Sequence, residues 1–319
     1  MSNSEFALID RYFRSLGAIR ADVIVGVGDD GAVLRPPDGH DVVAVLDTIV
    51  AGRHFPRQTA AASIAHRALA VNLSDLAAMA AQPAWMLLSL TMERADTSWL
   101  DDFAAALDAL ALRFGVALVG GDTVRGPLAI TVQASGFVPT GRQLTRSGAR
   151  PGDLLYVSGT LGDAAAGLAI AESAAASLVT GDYLRRRFDF PEPRVELGLQ
   201  LRDFASACID VSDGLFADLS RMAASSGCGA ELELMDLPLS GALLDAHGRE
   251  SAQRLAMTGG DDYELCFAVP PQLSRAFERL AKPCQVTRIG QFVTGEGVVV
   301  RSAGAVIEFS HSGFDHFTS

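Results

Sequence analysis

The chain has 319 residues, of which 49% are hydrophobic and 20% are charged, and its formal net charge is −12. This length accommodates two ordinary domains, and the apolar content excludes an intrinsically disordered chain. An acidic protein lacks the basic field that attracts phosphate backbones and anionic lipids, so the composition argues against a nucleic-acid or membrane partner. A ligand that carries phosphate groups must therefore bind together with cations.

The cysteines and the lysine content narrow the class of protein further. Cys208, Cys228, Cys266 and Cys284 are dispersed without a CxxC pair, which predicts neither a zinc site nor a disulfide framework and fits the reducing cytoplasm. Lys282 is the single lysine of the chain, and it precedes a proline at the end of a predicted helix. P-loop NTPases and protein kinases need a lysine in a Gly-rich or strand motif, so the sequence excludes both classes.

Strands and helices alternate in the first half of the chain. The segment 1–17 has apolar residues at helical spacing and lacks the basic start and unbroken apolar core of a secretion signal, which predicts an amphipathic helix. No apolar run is long enough to span a bilayer. The predicted strands are 23–27, 42–46, 84–92, 116–119 and 128–138, and the predicted helices are the Ala-rich segments 60–81 and 98–114.

A segment rich in Gly, Pro and Arg follows at 138–153 and carries turn signals without periodicity. We therefore expect an N-terminal domain at 1–140 and a C-terminal domain at 141–319. The second half is also predicted to be α/β. Its predicted strands are 154–158, 207–211, 229–234, 263–269, 285–292 and 297–301, and its predicted helices are 161–175, 194–206, 214–226 and 272–281.

Aspartates recur at predicted strand ends and in apolar surroundings. The usual role of such a residue is in a turn or at a helix N-terminus, and this interpretation is favoured for Asp29 and Asp213, which lie next to glycines. Asp47 differs, because it ends the apolar strand VVAVLD without a tight turn. Asp210 and Asp122 likewise follow apolar, β-branched runs.

Asp75 is the most informative of these carboxylates. Its segment, ALAVNLSDLAAMAA, is apolar nearly all round as a helix, so Asn72 and Asp75 would share a face that is at least partly buried. A buried carboxylate needs an arginine, backbone amides or a metal ion as partner, and we favour the metal. In the alternative interpretation, Ser74 or Asp75 caps a second short helix.

A convergence of several aspartates would require divalent cations. Two carboxylates about 5 Å apart repel by roughly 3 kcal/mol at an effective dielectric near 20. A set of oxygen ligands without Cys or His selects a hard ion, and Mg²⁺ held by carboxylates and substrate phosphates is usual in phosphoryl transfer. Gly120, Gly121 and Gly126 would let the backbone approach a polyphosphate, and free N–H groups at Ser212 and Asp213, where a helix starts, would favour anions.

Nine segments together resemble the bacterial thiamine-monophosphate kinase family, in order and at compatible spacing from Glu5 to Phe317. They are EFALIDRYF, GVGDDGAVL, DTIVAGRHF, ALAVNLSDLAAMAAQPAW, GGDTVRGPL, LTRSGARPGD, IDVSDGLFADL, GGDDYELCF and GFDHF. The family belongs to the superfamily of ATP-binding synthetases that includes aminoimidazole ribonucleotide synthetase and selenophosphate synthetase. The resemblance implies that ATP and Mg²⁺ are used to convert thiamine phosphate to thiamine diphosphate by direct in-line transfer.

The resemblance also implies a fold and a set of site residues. The fold would be α/β (α+β), a two-domain PurM-like architecture. Its N-terminal domain would bind ATP and Mg²⁺ and build a β-barrel at the interface of a cytoplasmic homodimer, and its C-terminal α/β domain would close over the ligands. The implied metal ligands are Asp30, Asp47, Asp75, Asp122, Asp210 and Asp213, of which Asp210 and Asp213 would be catalytic. The implied ATP contacts are Gly121, Asp122, Arg146 and Ser212, and the implied thiamine phosphate contacts are His54, Asp261 and Phe314.

Other interpretations remain open from the sequence. Another enzyme of the superfamily could use the same ATP site on a different acceptor, although DTIVAGRHF and GGDDYEL are typical of the thiamine enzyme. A non-catalytic nucleotide- or metal-binding scaffold is the second alternative, and the six aspartates together with Arg146 argue against it. An aspartyl phosphate intermediate also remains open. Taken singly, His54, Arg146 and Phe314 would be a structural histidine, a linker arginine and a core residue.

Overall fold

The computed structural model describes residues 5–173, 179–280, 284–307 and 309. These residues divide into two compact units. The N-terminal unit comprises the described residues up to Leu76 together with Ala81–Arg142, and the C-terminal unit comprises Ala77–Ala80 and the described residues from Gln143 onward. Both units combine helices with strands, as the sequence predicts.

The N-terminal unit is built on a four-stranded sheet. Its strand order is β3-β6-β4-β5, in which β4 and β5 are parallel and the other neighbours are antiparallel. A separate antiparallel pair is formed by β1 and β2. The strands are β1 (Val23–Val25), β2 (Val33–Leu34), β3 (His40–Val50), β4 (Gln82–Met92), β5 (Ala117–Arg125) and β6 (Ala129–Pro139), and the helices are α1 (Glu5–Leu8), α2 (Ala61–Ala78) and α3 (Thr97–Phe114).

Alternation along β3 shows how the sheet uses its two faces. Val43 and Ile49 are buried, whereas Val42 and Leu46 on the opposite face are exposed. Successive side chains of a strand point to opposite faces, so one face of this sheet packs into the core and the other presents apolar groups at the surface.

Helix α2 decides between the two interpretations of Asp75. The helix continues without interruption from Ala61 to Ala78, and its Leu69, Leu73 and Leu76 are completely buried. Asp75 is therefore an interior residue of a long helix and caps nothing. The helix-cap alternative is wrong, and the shared, largely buried face of Asn72 and Asp75 is confirmed.

The C-terminal unit contains a seven-stranded sheet in the order β13-β12-β9-β11-β7-β10-β8, in which β12 and β9 are parallel and the other neighbours are antiparallel. One core cluster includes Leu155, Ile209 and Phe292. The strands are β7 (Leu154–Ser158), β8 (Ala207–Val211), β9 (Gly229–Glu233), β10 (Glu264–Val269), β11 (Val286–Val293), β12 (Val298–Ser302) and β13 (Ala305–Ile307). The helices are α4 (Asp163–Glu172), α5 (Val179–Asp189), α6 (Val195–Leu201), α7 (Leu215–Ser226), α8 (Gly241–Thr258) and α9 (Pro271–Leu280).

Differences from the sequence prediction occur where the apolar pattern is weak. Helices α5 and α8 and the short strands β2 and β13 are absent from the prediction; α5 carries three consecutive arginines, and α8 is kinked at Gly248, whose φ is +70°. The predicted helix 194–206 ends at Leu201. The predicted N-terminal helix is wrong in detail, because the short α1 is followed by a π-helical turn at Ile9–Phe13. Among the described residues, no helix has the length and apolarity needed to cross a membrane.

Candidate active site

A cavity of about 640 Å³ lies in the N-terminal unit. Its walls come from the N-terminal helical turns, the acidic loop that follows β1, and the edge strand β5. The loop contributes Asp30, and β5 contributes Gly121 and Asp122. Three residues that the resemblance assigns to metal or ATP binding therefore line one cavity.

The backbone around this cavity explains its sequence. The Asp29 carboxylate accepts a hydrogen bond from the Asp30 N–H at 2.8 Å, and the turn role of Asp29 stays a prediction. A Cβ atom on Gly121 would lie 1.9 Å from the carbonyl oxygen of Leu88 on the neighbouring strand. Only glycine fits at position 121, because the backbone of β5 passes this close to the backbone of β4.

A second acidic feature joins β3 to α2. The carboxyl groups of Asp47 and Asp75 face each other and are partly buried, and the hydrogen bond between them requires a proton on one of the two. Burial raises the pKa of Asp47, and the hydrogen bond with Asp75 acts in the opposite direction. One turn before Asp75, the buried Asn72 donates from Nδ2 to the Ala68 carbonyl oxygen at 3.0 Å, while its Oδ1 has no hydrogen-bond partner in the described part of the chain. The oxygen atoms of Asp47, Asn72 and Asp75, which could act as metal ligands, therefore come from β3 and α2 of this unit.

The strand register separates Asp122 from this pair. Asp47 is aligned across the sheet with Val132, Leu88 and Gly121, and Asp122 belongs to the next row, so its side chain leaves the opposite face. Within residues 5–173, 179–280, 284–307 and 309, no group of three or more His, Cys, Asp or Glu side chains is placed to hold a metal ion. The convergence of all six aspartates stays a prediction, with the Asp47–Asp75 pair as the part that is formed.

Three residues assigned to ligands lie outside these acidic features. His54 follows β3 in a turn, where its Nδ1 accepts a hydrogen bond from the Val50 N–H at 3.0 Å, so the neutral ring carries its proton on Nε2. Arg146 is exposed in the segment between β6 and β7. Phe314 lies outside the described residues. The binding roles of all three stay predictions.

In the C-terminal unit, Asp210 lies near the end of β8 and Asp213 lies in the turn between β8 and α7. Asp218 on the first turn of α7 accepts hydrogen bonds from the N–H groups of Ser212 and Asp213, both at 3.0 Å. Arg221 Nη1 lies 2.6 Å from Asp218 Oδ1 and 2.6 Å from Asp213 Oδ2. The interpretation that Ser212 and Asp213 offer free N–H groups to an anion is therefore wrong, because Asp218 occupies both.

Negative charge is concentrated at this turn. Burial, followed by the charge of Asp210, raises the pKa of Asp218 to about 7. A carboxyl group shifted by burial and by a specific charged neighbour is typical of functional sites. Sequence reasoning missed Asp218, although an acidic residue in the first turn of a helix after a Ser-Asp-Gly turn is a recognisable capping signal.

The Gly-Gly-Asp-Asp loop before β10 is attached to the same turn. The N–H of Asp261 donates to the Ser212 carbonyl oxygen and the N–H of Tyr263 donates to that of Val211, both at 2.9 Å. A Cβ atom on Gly260 would lie 2.4 Å from the Ser212 carbonyl oxygen, so the loop can lie this close to the turn only with glycine at position 260. The ATP contact predicted at Ser212 and the substrate contact predicted at Asp261 thus lie side by side.

A buried ion cluster lies behind this loop. Glu264 is completely buried and receives two hydrogen bonds from Arg194 at 2.6 Å, one from Arg187 at 2.8 Å and one from Ser158 at 2.6 Å. Burial alone would raise the pKa of Glu264, but the arginines outweigh it and hold that pKa below its usual range. Sequence reasoning missed the cluster; the only signal is an acidic residue at the start of the apolar strand ELCFAV.

Comparison with known proteins defines the class first. The family model for the AIR synthase related protein, N-terminal domain, matches residues 28–138, and that for the C-terminal domain matches residues 150–302. The hydrogenase maturation protein HypE in complex with ATP has a TM-score of 0.79 over 97% of this chain and 96% of its own, at 17% identity, which shows a shared fold alone.

Relatives with higher sequence identity identify the family within this class. The thiamine-monophosphate kinases of Escherichia coli K12 and Haemophilus influenzae are 46% and 41% identical to this chain, with 100% and 99% of both chains covered. The crystal structure of thiamine-monophosphate kinase from Stenotrophomonas maltophilia K279a has a TM-score of 0.86 at 45% identity, over 96% of this chain and 99% of its own. The structure of AaThiL complexed with AMPPCP and TMP has a TM-score of 0.78 at 31% identity, over 91% of this chain and 92% of its own. The chain belongs to the thiamine-monophosphate kinase family.

Proposed function

We propose that this protein transfers the γ-phosphoryl group of ATP to thiamine phosphate and releases thiamine diphosphate and ADP. The observation that carries the proposal is similarity over the full length to thiamine-monophosphate kinases, including a 31% identical structure described as complexed with AMPPCP and TMP. The four thiols, which form no disulfide, fit the cytoplasm as the place of action.

We propose Mg²⁺ as the metal of this site. The Asp47–Asp75 pair and the unsatisfied Oδ1 of Asn72 are hard oxygen donors, and Mg²⁺ commonly uses one or two carboxylates together with substrate phosphates. Asp30, Asp122, Asp210 and Asp213 stay predicted ligands of Mg²⁺, and the register of β5 would assign Asp122 to a different ion from the Asp47–Asp75 pair. When bound, the ion would screen the charge that develops on the transferred phosphoryl group.

The acceptor itself needs no general base. A phosphate monoester has a second pKa near 6, so thiamine phosphate is largely ionised at neutral pH. An acceptor oxygen attacks the γ-phosphorus, the bond from that phosphorus to the β,γ-bridging oxygen breaks, and its electron pair leaves with ADP. The task of the chain is then to position two anions in line.

Individual residues have chemically suitable roles in this positioning. His54 would contact the phosphate of thiamine phosphate, as the resemblance implies, and its Nδ1 accepts the Val50 N–H. The exposed Arg146 can pair with the ATP phosphates, and the Asp261 carboxylate can face the positive ring of the thiamine. We assign ATP and metal binding and dimerisation to residues 1–140, and closure over the ligands to residues 141–319.

Substrate preference tests the proposal. We expect ADP release with thiamine phosphate and none with free thiamine, because the proposed reaction relies on an acceptor oxygen that is already ionised. A coupled ADP-release assay with thiamine phosphate, thiamine and an aminoimidazole ribonucleotide precursor makes the comparison. Comparable turnover of free thiamine would contradict the mechanism, turnover of the aminoimidazole compound alone would indicate another enzyme of the superfamily, and no turnover would indicate a scaffold.

We also propose that a second copy covers the exposed sheet face and that the two sheets together build a barrel. Within the described residues the four-stranded sheet stays open at β3 and β5. Leu46 is 62% exposed and Leu87 is 40% exposed, and both are aligned with Gln133 across the sheet. Apolar side chains in neighbouring positions on one face are typical of a protein interface.

A charge placed on this face should separate the copies. We expect the wild type to be a dimer at micromolar concentration and Leu46→Glu to be a monomer, as measured by light scattering. Val306→Glu is the matched control, because Val306 on β13 is equally exposed, at 61%, and belongs to the other unit. A monomeric wild type, or loss of the dimer in both variants, would contradict this interface.

A further inference from the structure

The buried carboxylate of Asp262 has no role in the reaction as proposed above. Its side chain is 1% exposed, and it accepts hydrogen bonds from the N–H groups of Gly162 at 2.6 Å and Ala164 at 3.2 Å. These donors lie at the start of α4, where the first N–H groups of a helix have no partner within the helix. Asp262 therefore ties its loop to a helix end.

The two neighbours of Asp262 adopt an unusual backbone conformation. Asp261 has φ +68° and Tyr263 has φ +50°, a left-handed region that residues with side chains rarely occupy. The Tyr263 hydroxyl donates to Asp261 Oδ1 at 3.0 Å. The direction of the Asp261 carboxylate therefore depends on the backbone conformation of both Asp261 and Tyr263. Such conformations persist only where surrounding contacts enforce them, and they cluster at functional sites.

Contacts on both sides enforce this loop. On one side, the N–H groups of Asp261 and Tyr263 donate to the turn between β8 and α7. On the other side, the Asp262 carboxyl group accepts the two N–H groups of α4, and burial raises the pKa of Asp262 to about 8, with the charge of Arg187 acting in the opposite direction. Asp261 and Tyr263 thus bind the turn between β8 and α7, whereas Asp262 between them binds the start of α4.

We propose that Asp262 is a positioning residue that fixes the direction of the Asp261 carboxylate and thereby sets the affinity for thiamine phosphate. The inference rests on the proposed function, in which Asp261 contacts that substrate. Asp262 itself touches no ligand; it holds the strained backbone that aims its neighbour.

The test is Asp262→Asn, which keeps the shape but places an NH₂ group where a carboxylate oxygen accepted an N–H. We expect the KM for thiamine phosphate to rise about 10- to 100-fold, as misplacement of a substrate contact by about 1 Å commonly causes. The KM for ATP should change less, because ATP is assigned no contact with the Asp261 side chain, although its predicted contact Ser212 is adjacent. Wild-type turnover of thiamine phosphate in the same assay tests the proposed function separately.

Asp163→Asn is the matched control. Asp163 is equally buried and faces the same Arg187 at 3.7 Å, but its hydrogen bonds come from the hydroxyl groups of Thr160, Tyr183 and Ser240 rather than from backbone N–H groups of α4. The Asp163→Asn substitution should lower the melting temperature without a selective change in the KM for thiamine phosphate. If both variants change this KM alike, Asp262 is merely structural and the proposal is overturned.

A double-mutant cycle with Asp261→Ala decides whether Asp262 acts through its neighbour. In the Asp261→Ala background, Asp262→Asn should add no further increase in the KM for thiamine phosphate. If the increases in this KM caused by the two substitutions multiply in the double variant, the residues act independently and the proposal is overturned. If Asp262→Asn does not fold, Ala164→Pro removes one of the two N–H donors in a first helical turn that accepts proline, and it must raise the same KM selectively.

Discussion

Asp75→Asn is expected to lower the turnover of thiamine phosphate by about two to three orders of magnitude, a loss typical of removing a group that stabilises charge in the transition state. The substitution keeps the shape of the side chain and its ability to hydrogen-bond Asp47 but removes one negative charge from the pair. The fold should survive, and the metal-free protein should keep or gain stability, because the Asn amide can donate to Asp47 without the proton that two carboxyl groups must share to avoid repulsion.

Asp102→Asn is the control for this experiment, because Asp102 is an exposed carboxylate on α3. Turnover at saturating Mg²⁺ and ATP, Mg²⁺ affinity by titration calorimetry and the melting temperature of the metal-free protein should all be unchanged in the control. Near-wild-type turnover and Mg²⁺ affinity in Asp75→Asn would remove Asp75 from the metal site.

Glu264→Gln is expected to lower the free energy of unfolding by about 3–5 kcal/mol, the usual cost of removing one partner of a buried ion pair. Two arginine side chains, Arg187 and Arg194, would keep their charge beside a neutral amide. Urea denaturation measures the effect. Asp101→Asn, which breaks the exposed pair with Arg11, should cost at most about 1 kcal/mol. Equal losses in the two variants would contradict a structural role for the buried cluster.

The same cluster should make stability depend on pH. Since the pKa of folded Glu264 lies below its ordinary value of 4.5, the unfolded chain binds a proton first as the pH falls. The stabilisation is therefore present above about pH 4.5 and is lost as the pH drops through the folded pKa. Urea midpoints measured from pH 7 to pH 3 should fall less steeply in Glu264→Gln than in the wild type. Parallel curves would show that Glu264 does not contribute to the acid sensitivity.

Elements with a clear apolar period are the ones that sequence reasoning located well. Strands β7 and β8 have the predicted bounds, and α2 and α3 differ by a few residues. Their periodicity is local, because a helix or strand that buries one or both faces repeats apolar residues at its own spacing. Helix α5 is polar apart from a few residues such as Leu184 and Phe188, and α8 is interrupted by a kink at Gly248, so sequence reasoning missed both although they pack within the C-terminal unit.

By itself, the sequence determined the class of chemistry and one feature of the site. The single lysine excludes the lysine-based nucleotide folds, the motifs carry the family resemblance, and the apolar surroundings of Asp75 predict its partial burial, all from residues close together in the chain. The tertiary structure alone decided that Asp75 pairs with Asp47 and that Glu264 is neutralised by arginines 70 and 77 positions away. Such contacts depend on strand register and helix packing, which no local period records.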